Sequence, residues 1–289
     1  MKGILLAGGT GSRLRPATSV TSKHLLAVYD KPLIYYSLTN LMLAGIREIL
    51  VICTPSDESS YVKLLGTGDQ FGLEISYASQ VSAQGIAEAL LIGESFVDGG
   101  HVCLSLGDNI FHGSGLSVLF RKLGSMNSGA SILLRRVPDP ERFGVAEVDD
   151  EGKVLRLTEK PTSPKSNLAV TGMYFFDESA SSKARKLQPS VRGELEITDL
   201  NVKYLDDGEL HSYELPRGTM WLDTGTADSL LDASLYVKSV QAHSGQLIGS
   251  PEEVAWRQGW ITEVQAKGMA SSMTSKYGQL LHETISRGR

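Results

Sequence analysis

An apolar run, Gly3 to Ala7, stops abruptly in three closely spaced glycines, Gly8, Gly9 and Gly11, and this constrains the chain more than any other feature. The run is too short for a buried helix, so it reads as a buried strand entering a glycine loop. The same rhythm then recurs. Leu33, Ile34, Leu38, Leu41 and Leu43 predict a helix over 32–44 that ends at Gly45, and the β-branched stretch Glu48 to Cys53 predicts the next strand. A helix near 60–65, a strand at 73–78, a helix at 86–96 and a strand at 101–106 follow, the last closing on Gly107-Asp108-Asn109. Strands separated by helices predict an α/β fold, a Rossmann-like, mostly parallel sheet flanked by helices. Ligands of such sheets gather at the carboxyl ends of the strands, where the glycine loop and Asp108 both fall.

Beyond Ala130 the texture changes. SILLRRV, GVAEVD, KVLRLTEK and VTGMYFFD are strand-like pieces broken by Pro138, Asp139, Pro140, Asp150 and Gly152, which predicts a β-rich lid. From Thr226 onward the residues favour helices, including 228–241 and 252–258. The expected organisation is a core over 1–225, with a first part at about 1–130 and a second at about 131–225, and a helical C-terminal segment over 226–289 packed on it.

The bulk numbers narrow the partners. Lys and Arg number 28 against 33 Asp and Glu, a net charge of -5 with no long like-charge run, so neither nucleic acid nor a membrane surface is indicated. A small molecule is expected instead. Cys53 and Cys103 each lie inside an apolar run, which suits buried thiols. MKGILLAGG is too short for a signal peptide and no run reaches the ~18 apolar residues of a membrane span, so a cytoplasmic location is expected. The six histidines show no metal-ligand or triad spacing.

The loop LAGGTGSRLRP carries the first chemistry. Gly8, Gly9 and Gly11 let backbone amides approach a phosphate, and Arg13 is the nearest cation to balance its charge. Neither familiar glycine motif fits: no Lys-Ser/Thr ends the loop, and Leu14 stands where a dinucleotide pattern needs its third glycine.

With these residues in view, the sequence resembles the sugar 1-phosphate nucleotidyltransferases. GILLAGGTGSRLRP and SKHLLAVYDKPLIYY carry the likeness, and LGDNIF, DPERFGVAEVD, EKP, TGMYFFD, RGELEITDLN, WLDTGT and PEEVAWRQGWI follow in order over nearly the whole chain. The branch it resembles most joins dTTP to glucose 1-phosphate, giving dTDP-glucose and pyrophosphate. The resemblance implies that Asp108 and Asp223 hold Mg²⁺, and magnesium's preference for one or two carboxylates plus substrate oxygens suits such a pair. It further implies that Arg13 and Lys23 hold the triphosphate, Arg13 polarising the α-phosphate, and that Gln80 and Gly85 receive the base. Lys160 and Arg192 are implied to take the sugar phosphate, Glu159 the sugar hydroxyls, and Gly144, Thr171 and Tyr174 to line the sugar pocket. No side-chain base is needed, because a phosphate monoester with a second pKa of about 6 is already a dianion near neutral pH.

The ending GSPEEVAWRQGWI resembles the extension of members that form homotetramers and carry a second nucleotide-sugar site for dTDP-sugar feedback. His112, Arg217, Ser250, Glu253 and Arg257 are its candidate residues, although Trp256 and Trp260 at helical spacing also suit plain packing. Several positions depart from the pattern: Phe143 stands for a usual Tyr, Ala83-Gln84-Gly85 for Pro-Asp-Gly, Ala87-Glu88 for Ala-Gln, and His24 and Ala27 for Gln and Pro. They leave the charged residues in place and bear on which base and sugar are preferred. A transferase for another base or sugar, and a non-catalytic nucleotide-sugar sensor, are the alternatives.

Overall fold

The computed structural model describes residues 1–9 and 11–288; Thr10, inside the glycine motif, and Arg289 lie outside the described residues. The Lys2–Ala7 strand is buried from Gly3 onward, as its apolar run requires, and it lies between two parallel neighbours, Glu48–Cys53 and Val102–Leu106. Glu74–Ser79 joins beyond Glu48–Cys53, also parallel, with the helices Leu33–Leu43 and Glu58–Leu65 in the crossovers. This is the half that the alternation predicts. The helix expected over 86–96 is instead two short ones, Glu88–Ile92 and Glu94–Val97, broken at Gly93. Glycine is the poorest helix former after proline.

The β-rich part extends the same sheet and builds no separate one. Leu168–Phe176 is buried at all nine positions, the mark of an interior strand covered on both faces. It pairs antiparallel with Val102–Leu106 and carries Ala130–Arg136 and Gly144–Val148, with Val154–Glu159 and Leu210–Glu214 outside them, to complete nine strands. A separate antiparallel ribbon joins Asn109–His112 to Met220–Asp223, placing Asp223 opposite Asn109 and Met220 opposite His112.

The C-terminal helices are Ala227–Ser244, Pro251–Arg257, Glu263–Ser271 and Lys276–Ser286, the first two begun by side-chain caps from Thr226 and Ser250. Trp256, Ala266 and Leu281 share one apolar cluster with Leu38, Val51 and Cys103 of the sheet half, so the core runs without a break into this segment. A polar knot fastens it as well. Lys31, only 4% exposed, sets its ammonium 2.6 Å from Asp30, 3.2 Å from the Tyr36 hydroxyl and 3.4 Å from Gln241, over the rings of Tyr36 and Tyr277. Tyr277 donates in turn to the buried Glu252. Burial pushes the Lys31 ammonium below its ordinary range, partly offset by Asp30, Glu252 and Glu253. Among the described residues no helix is long and apolar enough to cross a membrane.

Candidate active site

The glycine loop, the turn after Val102–Leu106 and the Met220–Asp223 strand meet at the carboxyl edge of the parallel strands, around a cleft of about 450 Å³. Arg13, Asp108 and Asp223 line it, as do Glu159, Lys160 and Arg192, which cluster through the Glu159–Lys160 and Glu159–Arg192 pairs. A smaller recess of about 170 Å³, lined by Gly8, Gly9, Gln80 and Gly85, shares Ile86 and Glu194 with the cleft and so continues it. Most of the residues named from the sequence are thus brought together.

The two aspartates differ in their partners. Asp108 takes the Lys23 ammonium at 2.5 Å on one oxygen and the Asn109 amide at 2.8 Å on the other. Burial opposes its ionisation, but Lys23, His24 and these hydrogen bonds outweigh that and hold it below the usual carboxylate range. Asp223 moves the other way, raised by burial and by the negative charge of Asp108, with Lys23, Arg142 and Arg13 offsetting part of the rise. Two carboxylates that repel each other in one cleft form a site that a divalent cation would relieve. Among the described residues no third His, Cys, Asp or Glu completes a metal-ligand group with them. An oxygen-rich pair open to substrate oxygens fits magnesium, which rarely takes an all-protein cage.

The cations are arranged by the loop. Ser22 caps the turn Lys23–Leu25, and the Thr18 hydroxyl ties back to the Gly11 carbonyl at 2.8 Å, so Lys23 is buried beneath the cleft rather than lining it. Arg13 is exposed at the mouth. A side chain at Gly225 would stand 2.9 Å from Asp223 Oδ2 and 3.1 Å from Arg13 Nη2, so only glycine leaves room for the guanidinium beside the carboxylate. Arg142, which sequence reasoning passed over, reaches Asp223 at 3.3 Å and Asp139 at 2.5 Å.

Arg192 sits among carboxylates, 2.7 Å from Glu196, 3.1 Å from Glu194 and 3.4 Å from Glu159. Glu159 also accepts the Thr198 hydroxyl at 2.5 Å and faces Lys160 at 3.5 Å. Gly144 and Tyr174 line the cleft as expected, but Thr171 does not: strand alternation gives the lining to Val170, Gly172 and Tyr174, and Thr171 is fully buried on the other face. Asn109 and Trp221 were also missed. Asn109 accepts from the Trp221 indole at 2.6 Å and the Gly172 amide at 3.1 Å, pinning the ribbon to the sheet. The GDN triplet was the available signal for Asn109, and the DPERFGVAEVD segment was the one for Arg142, which it contains.

At the other end of the ribbon lies a second cavity of about 210 Å³, mostly apolar, lined in part by Phe111, His112, Ser250, Glu253 and Arg257. His112 meets the Tyr236 hydroxyl at 2.7 Å, and Arg257 pairs with Glu253 at 2.8 Å. Arg217 does not belong to this lining; it is exposed in the turn before Met220–Asp223. Trp256 is core and Trp260 half-buried under Arg47.

A nucleotidyl transferase family model matches residues 2–240. A glucose-1-phosphate thymidylyltransferase of Xanthomonas campestris pv. campestris (strain B100) is 52% identical over 288 residues, 99% of this chain and 98% of the relative. One from Neisseria gonorrhoeae is 50% identical over 288 residues, covering 99% of this chain and 100% of the relative. A solved structure from Bacillus anthracis, to which the same activity is ascribed and which holds a sucrose, is 44% identical with a TM-score of 0.76 and covers 82% of this chain and 94% of that one.

Proposed function

Because this chain belongs to the nucleotidyl transferase family, we propose that it transfers the thymidylyl group of dTTP to glucose 1-phosphate, releasing pyrophosphate and forming dTDP-glucose. The observation that carries this reading is the shared cleft itself, which gathers Asp108, Asp223 and Arg13 together with Lys160 and Arg192. Two highly charged anions repel, and a cleft lined by several cations lets them approach. The named relatives, near half identical over almost their full length, support dTTP and glucose 1-phosphate as the pair.

In this reading the base enters the recess at Gln80 and Gly85, and the triphosphate lies along Gly8, Gly9, Gly11 and Arg13, with Lys23 buried behind Asp108. The sugar phosphate is received by Lys160 and Arg192. Glu159 accepts from the sugar hydroxyls, with Gly144 and Tyr174 beside it. A phosphate oxygen of glucose 1-phosphate forms a bond to the α-phosphorus while the bond from that phosphorus to the bridging oxygen breaks, and pyrophosphate leaves with the electron pair. Arg13 donates to the α-phosphate oxygens, whose charge grows in the transition state. Arg142 adds a second guanidinium next to Asp223. Asp108 and Asp223 would hold Mg²⁺, which when bound supplies charge neutralisation at the phosphate oxygens.

The core at 1–225 and the helical segment at 226–289 would then divide catalysis from assembly, the latter supporting a homotetramer and, in the second cavity, a dTDP-sugar feedback ligand near His112, Ser250, Glu253 and Arg257. The decisive test is a panel of nucleoside triphosphates and sugar 1-phosphates read by pyrophosphate release. dTTP with glucose 1-phosphate is expected to be the fastest pair. Negligible turnover with dTTP beside brisk turnover with another triphosphate would overturn the thymidylyl assignment.

A further inference from the structure

Glu88 occupies the first turn of the Glu88–Ile92 helix, a position where the family resemblance leads one to expect glutamine. Its Oε2 accepts from two donors, the side-chain amide nitrogen of Gln80 at 2.6 Å and the backbone N–H of Gln84 at 3.2 Å. The second donor fixes the carboxylate to the loop, since a backbone amide has no alternative polarity to offer. The first then decides which way the Gln80 amide faces. A carboxylate has no proton to give, so the NH₂ of Gln80 must point at Glu88 and its carbonyl oxygen must point away. That oxygen lies against the glycine loop, where a Cβ on Gly8 would stand only 2.3 Å from it. Gln80 is 5% exposed, which leaves it little room to swing.

We propose that Glu88 is a positioning residue that locks the Gln80 carbonyl toward the recess and thereby selects a base edge presenting a ring N–H. The inference rests on the placement of the base in that recess. Thymine and uracil carry a proton on N3 and can donate to the Gln80 oxygen. Cytosine carries a lone pair there, so it meets acceptor with acceptor. A glutamine at 88 presents both an acceptor and a donor, leaving the Gln80 amide free to pair either way round; a glutamate removes that freedom. Glu88 itself does not line the recess, so its effect on the base passes entirely through Gln80.

The test is the ratio of kcat/KM for dTTP over dCTP at saturating glucose 1-phosphate, with the Ki of dCTP against dTTP as the same comparison wherever dCTP turns over slowly. Glu88→Met keeps the side chain's length and removes its acceptor. It is expected to lower the ratio about tenfold, the value of one hydrogen bond, with the KM for glucose 1-phosphate unmoved. Glu88→Gln, which keeps an acceptor, should lower it by less. A Met variant whose ratio stays within twofold of the parent, or in which both triphosphates fall equally, overturns the proposal, because mere packing would not distinguish the bases. Gln80→Met separates this from the reading beneath it. If that variant collapses the ratio while Glu88→Met does not, only the orientation argument fails; if it leaves both the ratio and the dTTP KM unchanged, the base is not in this recess.

Discussion

The main cleft and the second cavity lie at opposite ends of one four-residue ribbon, yet they are built from opposite materials. The cleft mixes guanidinium, ammonium and carboxylate groups, whereas Leu43, Phe111, Leu116, Leu247, Ile248 and Val254 dominate the cavity, with one Glu253–Arg257 pair in its lining. Alternating charge is what bringing two phosphates together requires, and an apolar bowl with a few polar groups is what holding one ligand requires. In the proposed function, the difference suits chemistry at one end and recognition at the other.

The largest effect that this contrast predicts is at the carboxylate pair. Asp108→Asn and Asp223→Asn should each cut turnover at least about a hundredfold, as losing one electrostatic clamp does, while circular dichroism and thermal melts show a folded protein. A near-normal rate in either variant removes that residue from the mechanism. Arg192→Ala or Lys160→Ala should raise the KM for glucose 1-phosphate by about ten- to a hundredfold, since each removes a charge-assisted contact worth roughly 1.5–3 kcal/mol. The dTTP KM should scarcely move, and an equal rise in both constants would undo the division of the cleft between the two substrates. At the far end of the ribbon, Arg257→Ala is expected to weaken inhibition by dTDP-sugars about tenfold with kcat within about twofold of the parent. Unchanged inhibition curves would take the cavity out of regulation.

The smallest effect concerns His24, buried under the glycine loop, where burial above all lowers its pKa from 6.5 to about 4. Between those values the unfolded chain binds the proton and the folded one does not, so stability falls as the pH drops through this window. Between pH 6.5 and 5.5 the loss from this residue is about 1 kcal/mol. His24→Gln should flatten that slope relative to the parent in melts taken across the same range, and parallel slopes would show that the imidazole does not titrate there.

The glycine loop and Arg13 were legible from local chemistry, while the other site residues were named through the family resemblance. The run ending in Gly8, Gly9 and Gly11 announces a strand and a glycine loop, and the resemblance places two carboxylates in GDN and WLDTG. Strand periodicity also located the sheet to within a residue or so, with Glu48–Cys53 as expected. What escaped depends on contacts distant in the chain. Arg142 matters through Asp223, 81 residues away, and Trp221 through Asn109, 112 residues away. Thr171 was misplaced because a motif match carries residues without their facing, and only the register of Leu168–Phe176 decides which side chains turn into the cleft. The β-rich half looked like a separate lid because its pieces are short and turn-broken; the continuous burial of Leu168–Phe176 merges them with the parallel strands.

The knot at Lys31 bears on how the molecule comes apart. Its ammonium is hemmed in by Asp30 and Tyr36 from the amino-terminal half and by Gln241 and Tyr277 from two carboxyl-terminal helices. Peeling those helices off would leave Lys31 its ion-pair partner Asp30 and let water reach both, but would strip away Glu252, Tyr277 and the apolar cover supplied by Trp256 and Leu281. The helices therefore act as a keystone: a chain cut short near residue 245 would keep Gln241 but lose Glu252, Tyr277 and the Trp256–Leu281 part of the shared core, and so forfeit stability in the sheet half along with its tail.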